Sequence, residues 1–127
     1  MRRYYNPAIT PEQADALDWE NMVLLQAIQA TLDNISPDVR AVFVAASAGS
    51  ATLHYIVAEG TQEACVEDID DTLAEFDAAM AGTPGYEAVQ AEVHVEEIPR
   101  DWVELGWRGL YWSKGWKAWT SDDQPHT

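Results

Sequence analysis

Residues 40–58 read RAVFVAASAGSATLHYIVA. Arg40 to Ser47 and Thr52 to Ala58 are rich in β-branched and aromatic residues, and Ala48-Gly49-Ser50 lies between them. Side chains branched at Cβ are stiff and pack well on a pleated surface, whereas glycine supplies the positive φ that a tight reversal demands. The stretch is therefore expected to form two antiparallel strands joined by a hairpin turn. What flanks it then decides the architecture.

Upstream, Thr10 and Pro11 suit the cap and first position of a helix, with Glu12 in the first turn. The helix is predicted over 11–33, where Leu17, Leu24, Leu25, Ile28 and Leu32 fall largely three, four or seven apart and form one apolar stripe. Trp19 and Met22 stand at its margin, and Asn34, Ser36 and Pro37 stop the helix. Downstream, helical spacing returns over 61–80: Val66, Ile69, Leu73, Phe76 and Met80 define a second apolar face, with Thr61 as its expected cap. Gly82, Pro84 and Gly85 break that helix. Over 89–95 the period becomes two, with Val89, Ala91, Val93 and Val95 on one side and Gln90, Glu92, His94 and Glu96 on the other, as in a strand covered on one face. A loop through Pro99 and a short turn through Trp102 and Leu105 lead to a last strand over 107–112.

Two helices on one face of a four-stranded, mainly antiparallel sheet would bury both stripes and the apolar strand rows. The expected fold class is thus α+β, a two-layer sandwich with elements in the order α-β-β-α-β-β, whose opposite sheet face is left as the free surface. At 127 residues with 47% hydrophobic content, the chain suits one such domain. Its predicted limits are 11–119, between an irregular arm over 1–10 and a polar tail over 120–127.

Charge narrows the range of partners. Twenty-two acidic against seven basic residues give a formal net charge of -15, which repels phosphate backbones and anionic lipid surfaces. Nucleic acid and membrane are therefore excluded as expected partners. Between Arg40 and Arg100 there is no Lys or Arg, while Glu59, Glu63, Glu67, Asp68, Asp70, Asp71, Glu75, Asp77, Glu87, Glu92, Glu96 and Glu97 all fall in that interval. No apolar run is long enough to span a bilayer, and Arg2-Arg3 is followed by Tyr4, Tyr5, Asn6 and Pro7 where an export signal needs an apolar core. A soluble, cytoplasmic protein is expected.

No catalytic, cofactor-binding or metal-binding constellation is encoded at a recognisable spacing, so no enzyme activity and no cofactor are expected. The lone Cys65 excludes an intramolecular disulfide. A thiol and imidazole pair with His54 or His94 is conceivable, but Cys65 beside Val66 on a helix is read as a small buried hydrophobe. Asp68-Ile69-Asp70-Asp71 resembles a calcium loop superficially, yet Leu73 stands where such a loop requires glycine.

The polar face of the second helix is more informative. Glu63, Glu67, Asp68, Asp70, Asp71 and Glu75 have no basic partner three or four residues away, and each like-charge pair at that spacing costs a few tenths of a kcal/mol. Such a patch either is a solvated face or awaits a basic partner, whose association it would accelerate roughly 10- to 1000-fold. Glu92 and Glu96 on the third strand extend the acidic candidates for partner binding. Five of the six tryptophans, Trp102, Trp107, Trp112, Trp116 and Trp119, follow Arg100 among Arg108, Lys114 and Lys117. Most are assigned to closing the core, and Trp112 is a candidate anchor at an interface, where exposed Trp is enriched.

Leu24-Leu25-Gln26-Ala27-Ile28-Gln29-Ala30 through Asn34-Ile35-Ser36-Pro37-Asp38-Val39-Arg40-Ala41-Val42, together with Glu104-Leu105-Gly106-Trp107, resembles small bacterial immunity proteins of polymorphic-toxin and contact-dependent growth inhibition systems. The resemblance covers residues 20–115 and rests on structural motifs, so no binding residue carries over from it. It implies a cytoplasmic protein that binds and neutralises the toxin domain of its own cell, frequently a basic nuclease, and that is a monomer or weak dimer when free. The competing readings are a homo-oligomeric or regulatory protein-binding module without a toxin partner, and an enzyme with an unrecognised pocket, for which His54 or His94 shielded beside a carboxylate would be the sign.

Overall fold

A computed structural model describes residues 11–32 and 34–114. The arm, the tail, Asp33, Trp116 and Trp119 lie outside the described residues. In chain order the elements are α1 (Pro11–Leu32), β1 (Val39–Ser47), β2 (Ser50–Val57), α2 (Gln62–Met80), β3 (Ala88–Val95) and β4 (Trp107–Trp112).

β1 and β2 form the hairpin, Ser47 pairing with Ser50 around a reversal in which Gly49 takes φ 80°. Gly49 also ties this tip to the start of β3, its carbonyl accepting from the Glu87 amide at 2.7 Å, and a Cβ there would stand 2.9 Å from the Gly85 carbonyl oxygen. Positive φ and that close approach both require glycine.

The sheet runs β3-β2-β1-β4. β1 pairs antiparallel with β2 and β4, but β2 and β3 are parallel, so the sheet is mixed. The parallel pair follows from α2: a helix that starts at the end of β2 and packs on the sheet returns the chain to the strand's beginning, making β2-α2-β3 a crossover unit. β3 and β4 are thereby separated to opposite edges.

Both helices cover one sheet face. Val23, Ala27 and Ala30 of α1 and Cys65, Ile69, Phe76 and Met80 of α2 pack on Val42, Val44, Leu53, Tyr55 and Val57. The stripe expected on α1 is corrected here: Leu17, Leu25 and Leu32 are exposed, and Leu24 and Ile28 are only partly buried. The smaller row of Val23, Ala27 and Ala30 lets the helix axis come close to the sheet and to α2, and that approach turns the leucines outward. On α2 the inward row is Cys65, Ile69, Thr72, Phe76 and Met80, whereas Val66 is exposed. Thr61 occupies the cap position without a side-chain bond to the helix; its hydroxyl donates to the Ala58 carbonyl at 2.6 Å.

The opposite sheet face is not the free surface expected. Ala41, Phe43 and Ile56 on that face are buried with Ile98 and Trp107, and Trp102 packs on the same cluster. The covering comes from the connection between β3 and β4, which must cross the sheet from one edge strand to the other and lays Ile98 and Trp102 over the middle as it does so. Phe43 sits among three rings, at 5.1 Å from Trp102, 5.5 Å from Trp107 and 6.2 Å from Trp112.

Candidate functional site

Glu63, Glu67, Asp71 and Glu75 recur every four residues along α2 and, with Asp70, are exposed, because the inward row of this helix is out of phase with them. α2 contains no Lys, Arg or His. Asp68 is half-buried, and its carbonyl accepts the Thr72 hydroxyl at 2.9 Å. The side of α2 turned away from the sheet is thus a run of carboxylates without an intrahelical countercharge.

The remaining candidates lie elsewhere. Glu92 and Trp112 belong to the sheet face opposite the helices, whereas Glu96, expected on the third strand, follows the end of β3 with φ 59°, so the nine residues do not form one surface. Glu96 is ion-paired at 3.1 Å with Arg40, the residue that bounds the acidic interval, so this candidate already has a countercharge. Trp112 is 46% exposed and meets Phe43 edge-on.

Glu92 belongs to a cluster with His54 and His94, the shielded imidazole beside a carboxylate that is the sign expected of the enzyme alternative, although the sequence does not single out Glu92 as that carboxylate. In the parallel register of β2 and β3, His54 stands opposite Glu92 and Ile56 opposite His94. Alternation puts Glu92 and His94 on one face of β3, and pairing brings them to His54. His54 Nδ1 is 3.1 Å from His94 Nε2 and 3.4 Å from Glu92 Oε2, and His94 Nε2 is 3.8 Å from that same oxygen. Trp107 stacks on the His54 ring at 3.7 Å and 14°. His54 is buried, His94 is half-buried and the Glu92 side chain is 56% exposed. A shallow depression of about 330 Å³, lined by His94, Val95, Glu97, Ile98 and Pro99, adjoins the cluster.

Burial lowers the His54 pKa to about 4; the Glu92 charge opposes this shift and His94 adds to it. Burial also lowers the His94 pKa, again against Glu92. Both imidazoles are accordingly neutral near pH 7, so one ring nitrogen of the close pair donates and the other accepts. Chemically the cluster can pass a proton between its rings or present three ligand atoms to a cation. Cys65 takes no part in it: the thiol is buried on the helix side of the sheet, 4.0 Å from the Ser36 hydroxyl. The signal available in the sequence was the two-residue spacing of Glu92 and His94; the missing step was the pairing of β3 with β2.

No helix among the described residues is long and apolar enough to cross a membrane. A comparison with curated proteins returns no match. A protein-family model described as MafI2 immunity protein matches residues 20–106, from the middle of α1 through the hairpin, α2 and β3 to the edge of β4. That span carries every element of the two-layer core except the last strand, and the chain belongs to the MafI2 immunity protein family.

Proposed function

We propose that this protein is the cytoplasmic inhibitor of a cognate bacterial toxin, that it binds a basic, nuclease-type toxin domain, and that the exposed acidic face of α2 is the main docking surface. Family membership supports the inhibitory role, and the carboxylate row Glu63, Glu67, Asp71 and Glu75 carries the choice of surface. A row that repels itself along one helix gains most from a cationic partner, which both neutralises it and is steered to it. Inhibition is by occupancy, the bound protein standing over the toxin's working surface, and it needs no chemistry from the inhibitor.

The test is titration of the toxin domain encoded beside this protein with wild type and with the variant Glu67→Lys, Asp70→Lys, Asp71→Lys, Glu75→Lys. The expected outcome is an association rate roughly 10- to 1000-fold lower for the variant, a flatter salt dependence and loss of protection on coexpression. Unchanged affinity in a folded variant would remove α2 from the interface and transfer the proposal to Glu92 and Trp112 on the opposite sheet face. A neighbourhood without any toxin gene would remove the inhibitory reading itself.

A further inference from the structure

The cluster of His54, Glu92 and His94 has no task in toxin docking through α2, yet its geometry is specific. The three nearest ligand atoms, His54 Nδ1, His94 Nε2 and Glu92 Oε2, form a triangle with sides of 3.1, 3.4 and 3.8 Å. The circle through those three atoms has a radius of about 2.0 Å, which is the bond length of zinc to imidazole nitrogen and carboxylate oxygen. An ion at the centre, or slightly above the plane, therefore meets all three at bonding distance without movement of any strand. We propose that His54, Glu92 and His94 form a binding site for a divalent transition metal of the zinc type, with three protein ligands and a remaining coordination position.

The ligand set decides the class of ion. Two imidazole nitrogens and one carboxylate suit zinc, cobalt, nickel or copper, whereas calcium and magnesium prefer all-oxygen shells. The three ligand-bearing residues are contributed by two hydrogen-bonded strands, and His54 is held in plane by the Trp107 ring at 3.7 Å, so the site is preorganised by the fold. A neutral imidazole ligates through its unprotonated nitrogen, so the ring that donates within the pair of His54 and His94 moves its proton to its other ring nitrogen when the ion enters. Glu92, more than half exposed, leaves the ion in exchange with solution. A metal here clamps β3 to β2 and thereby stabilises the folded chain by an amount that grows with the logarithm of its free concentration above Kd. The proposal stands independently of any toxin.

The experiment uses the full chain after chelation, titrated calorimetrically with zinc chloride and, separately, with cobalt chloride followed by its visible absorption, alongside thermal unfolding. His126, the third histidine of the chain, is replaced in a control variant, His126→Asn. One ion per chain is expected, with a rise in Tm, a cobalt spectrum of four- or five-coordinate type, and all three signals retained in His126→Asn. Removing even an outer partner of a ligand costs roughly 10- to 100-fold in affinity, so His94→Asn and Glu92→Gln are each expected to weaken zinc by at least about tenfold. Both positions are more exposed than His54, and circular dichroism of the metal-free variants checks that they fold. Absence of binding by the wild type, binding undiminished in folded His94→Asn and Glu92→Gln, or binding lost in His126→Asn would each overturn the proposal and leave the three side chains a hydrogen-bonded cluster. Should either variant fail to fold, histidine ring nitrogen shifts of the wild type on zinc addition decide: movement of His54 and His94 supports the site, and movement of His126 alone overturns it.

Discussion

Tyr55 is a large side chain of the core at 1% exposure, and among the described residues its hydroxyl has no hydrogen-bond partner; neither does that of Thr31. Burial raises the Tyr55 pKa, an effect that the nearby Thr72 and Thr31 hydroxyls oppose without reaching hydrogen-bonding geometry. A buried hydroxyl left unsatisfied costs free energy that its removal recovers. Tyr55→Phe is therefore expected to leave stability unchanged within about 1 kcal/mol or to raise it, whereas Tyr55→Ala should cost roughly 3 kcal/mol or more through the cavity. Urea unfolding of both variants checks this, and a large loss in Tyr55→Phe would mean that the hydroxyl is paired. Tyr86 is the contrasting case. It donates to the Asp77 carboxylate, and its pKa is pushed up to about 12 by burial first and by Asp77 second. Because the folded-state value lies above the unfolded one near 10, the stabilisation is complete below pH 10 and is lost as pH rises toward about 12. Wild type should thus exceed Tyr86→Phe in Tm at pH 8, and that advantage should shrink steadily above pH 10.

At the scale of elements, α1 shows how packing selects among apolar faces. The helix carries a row of large side chains, Leu17, Leu25 and Leu32, and a row of small ones, Val23, Ala27 and Ala30; the small row is buried. Alanine permits close approach between helix and sheet, which buries area from every neighbour, and three leucines in that place would hold the layers apart. Ala27→Leu is accordingly expected to destabilise by about 1–3 kcal/mol through overpacking, while Leu25→Ala should change stability by less than about 1 kcal/mol. Chemical denaturation of the two variants distinguishes them, and the reverse ranking would place the leucine row in the core. Apolar spacing alone marks α1 as amphipathic, and it marks β3 as one-sided, but it weighs a leucine above an alanine. Hence the rotation of α1 was not legible, whereas the presence and approximate limits of the helices and strands were. Val93 and Val95 illustrate the same limit: they keep to the helix-facing side of β3 by alternation, yet remain 42% and 37% exposed at the sheet edge.

For the molecule as a whole, the relevant quantity is a net charge of -15 on 127 residues. Part of it is offset locally, as at Arg40 with Glu96 and at Arg108 with Glu20, 2.6 Å apart across α1 and β4. The outer row of α2 has no such compensation within the helix. Replacing Glu67 and Glu75 by Lys converts the four-residue spacings to Glu63, Asp71 and each other's neighbours into opposite-charge pairs, each worth about 0.2–0.5 kcal/mol. The double variant should therefore unfold at a higher temperature than wild type at low salt, and the gain should fade near ~1 M salt, where the screening length is about 3 Å. If the same variant also binds toxin more weakly, stability and affinity will have moved in opposite directions, as expected of a surface kept for a partner. A variant neither more stable nor weaker in binding would return this face to the role of a solvated helix surface.

Periodicity, turn chemistry and charge count were sufficient to establish an α+β chain with its helices and strands in place, its acidic character and the hairpin at its centre. These are local or additive properties, and each follows from a few neighbouring residues. Which strands pair, which helix face turns inward, what covers the second sheet face, and that His54 meets Glu92 and His94 are not local. The last of these depends on α2 carrying the chain back across the sheet so that β3 lies parallel to β2, thirty-eight residues of separation closing into one register position at His54 and Glu92. No pattern in either strand states that partner; it is selected by the burial that both helices gain together when the crossover is made.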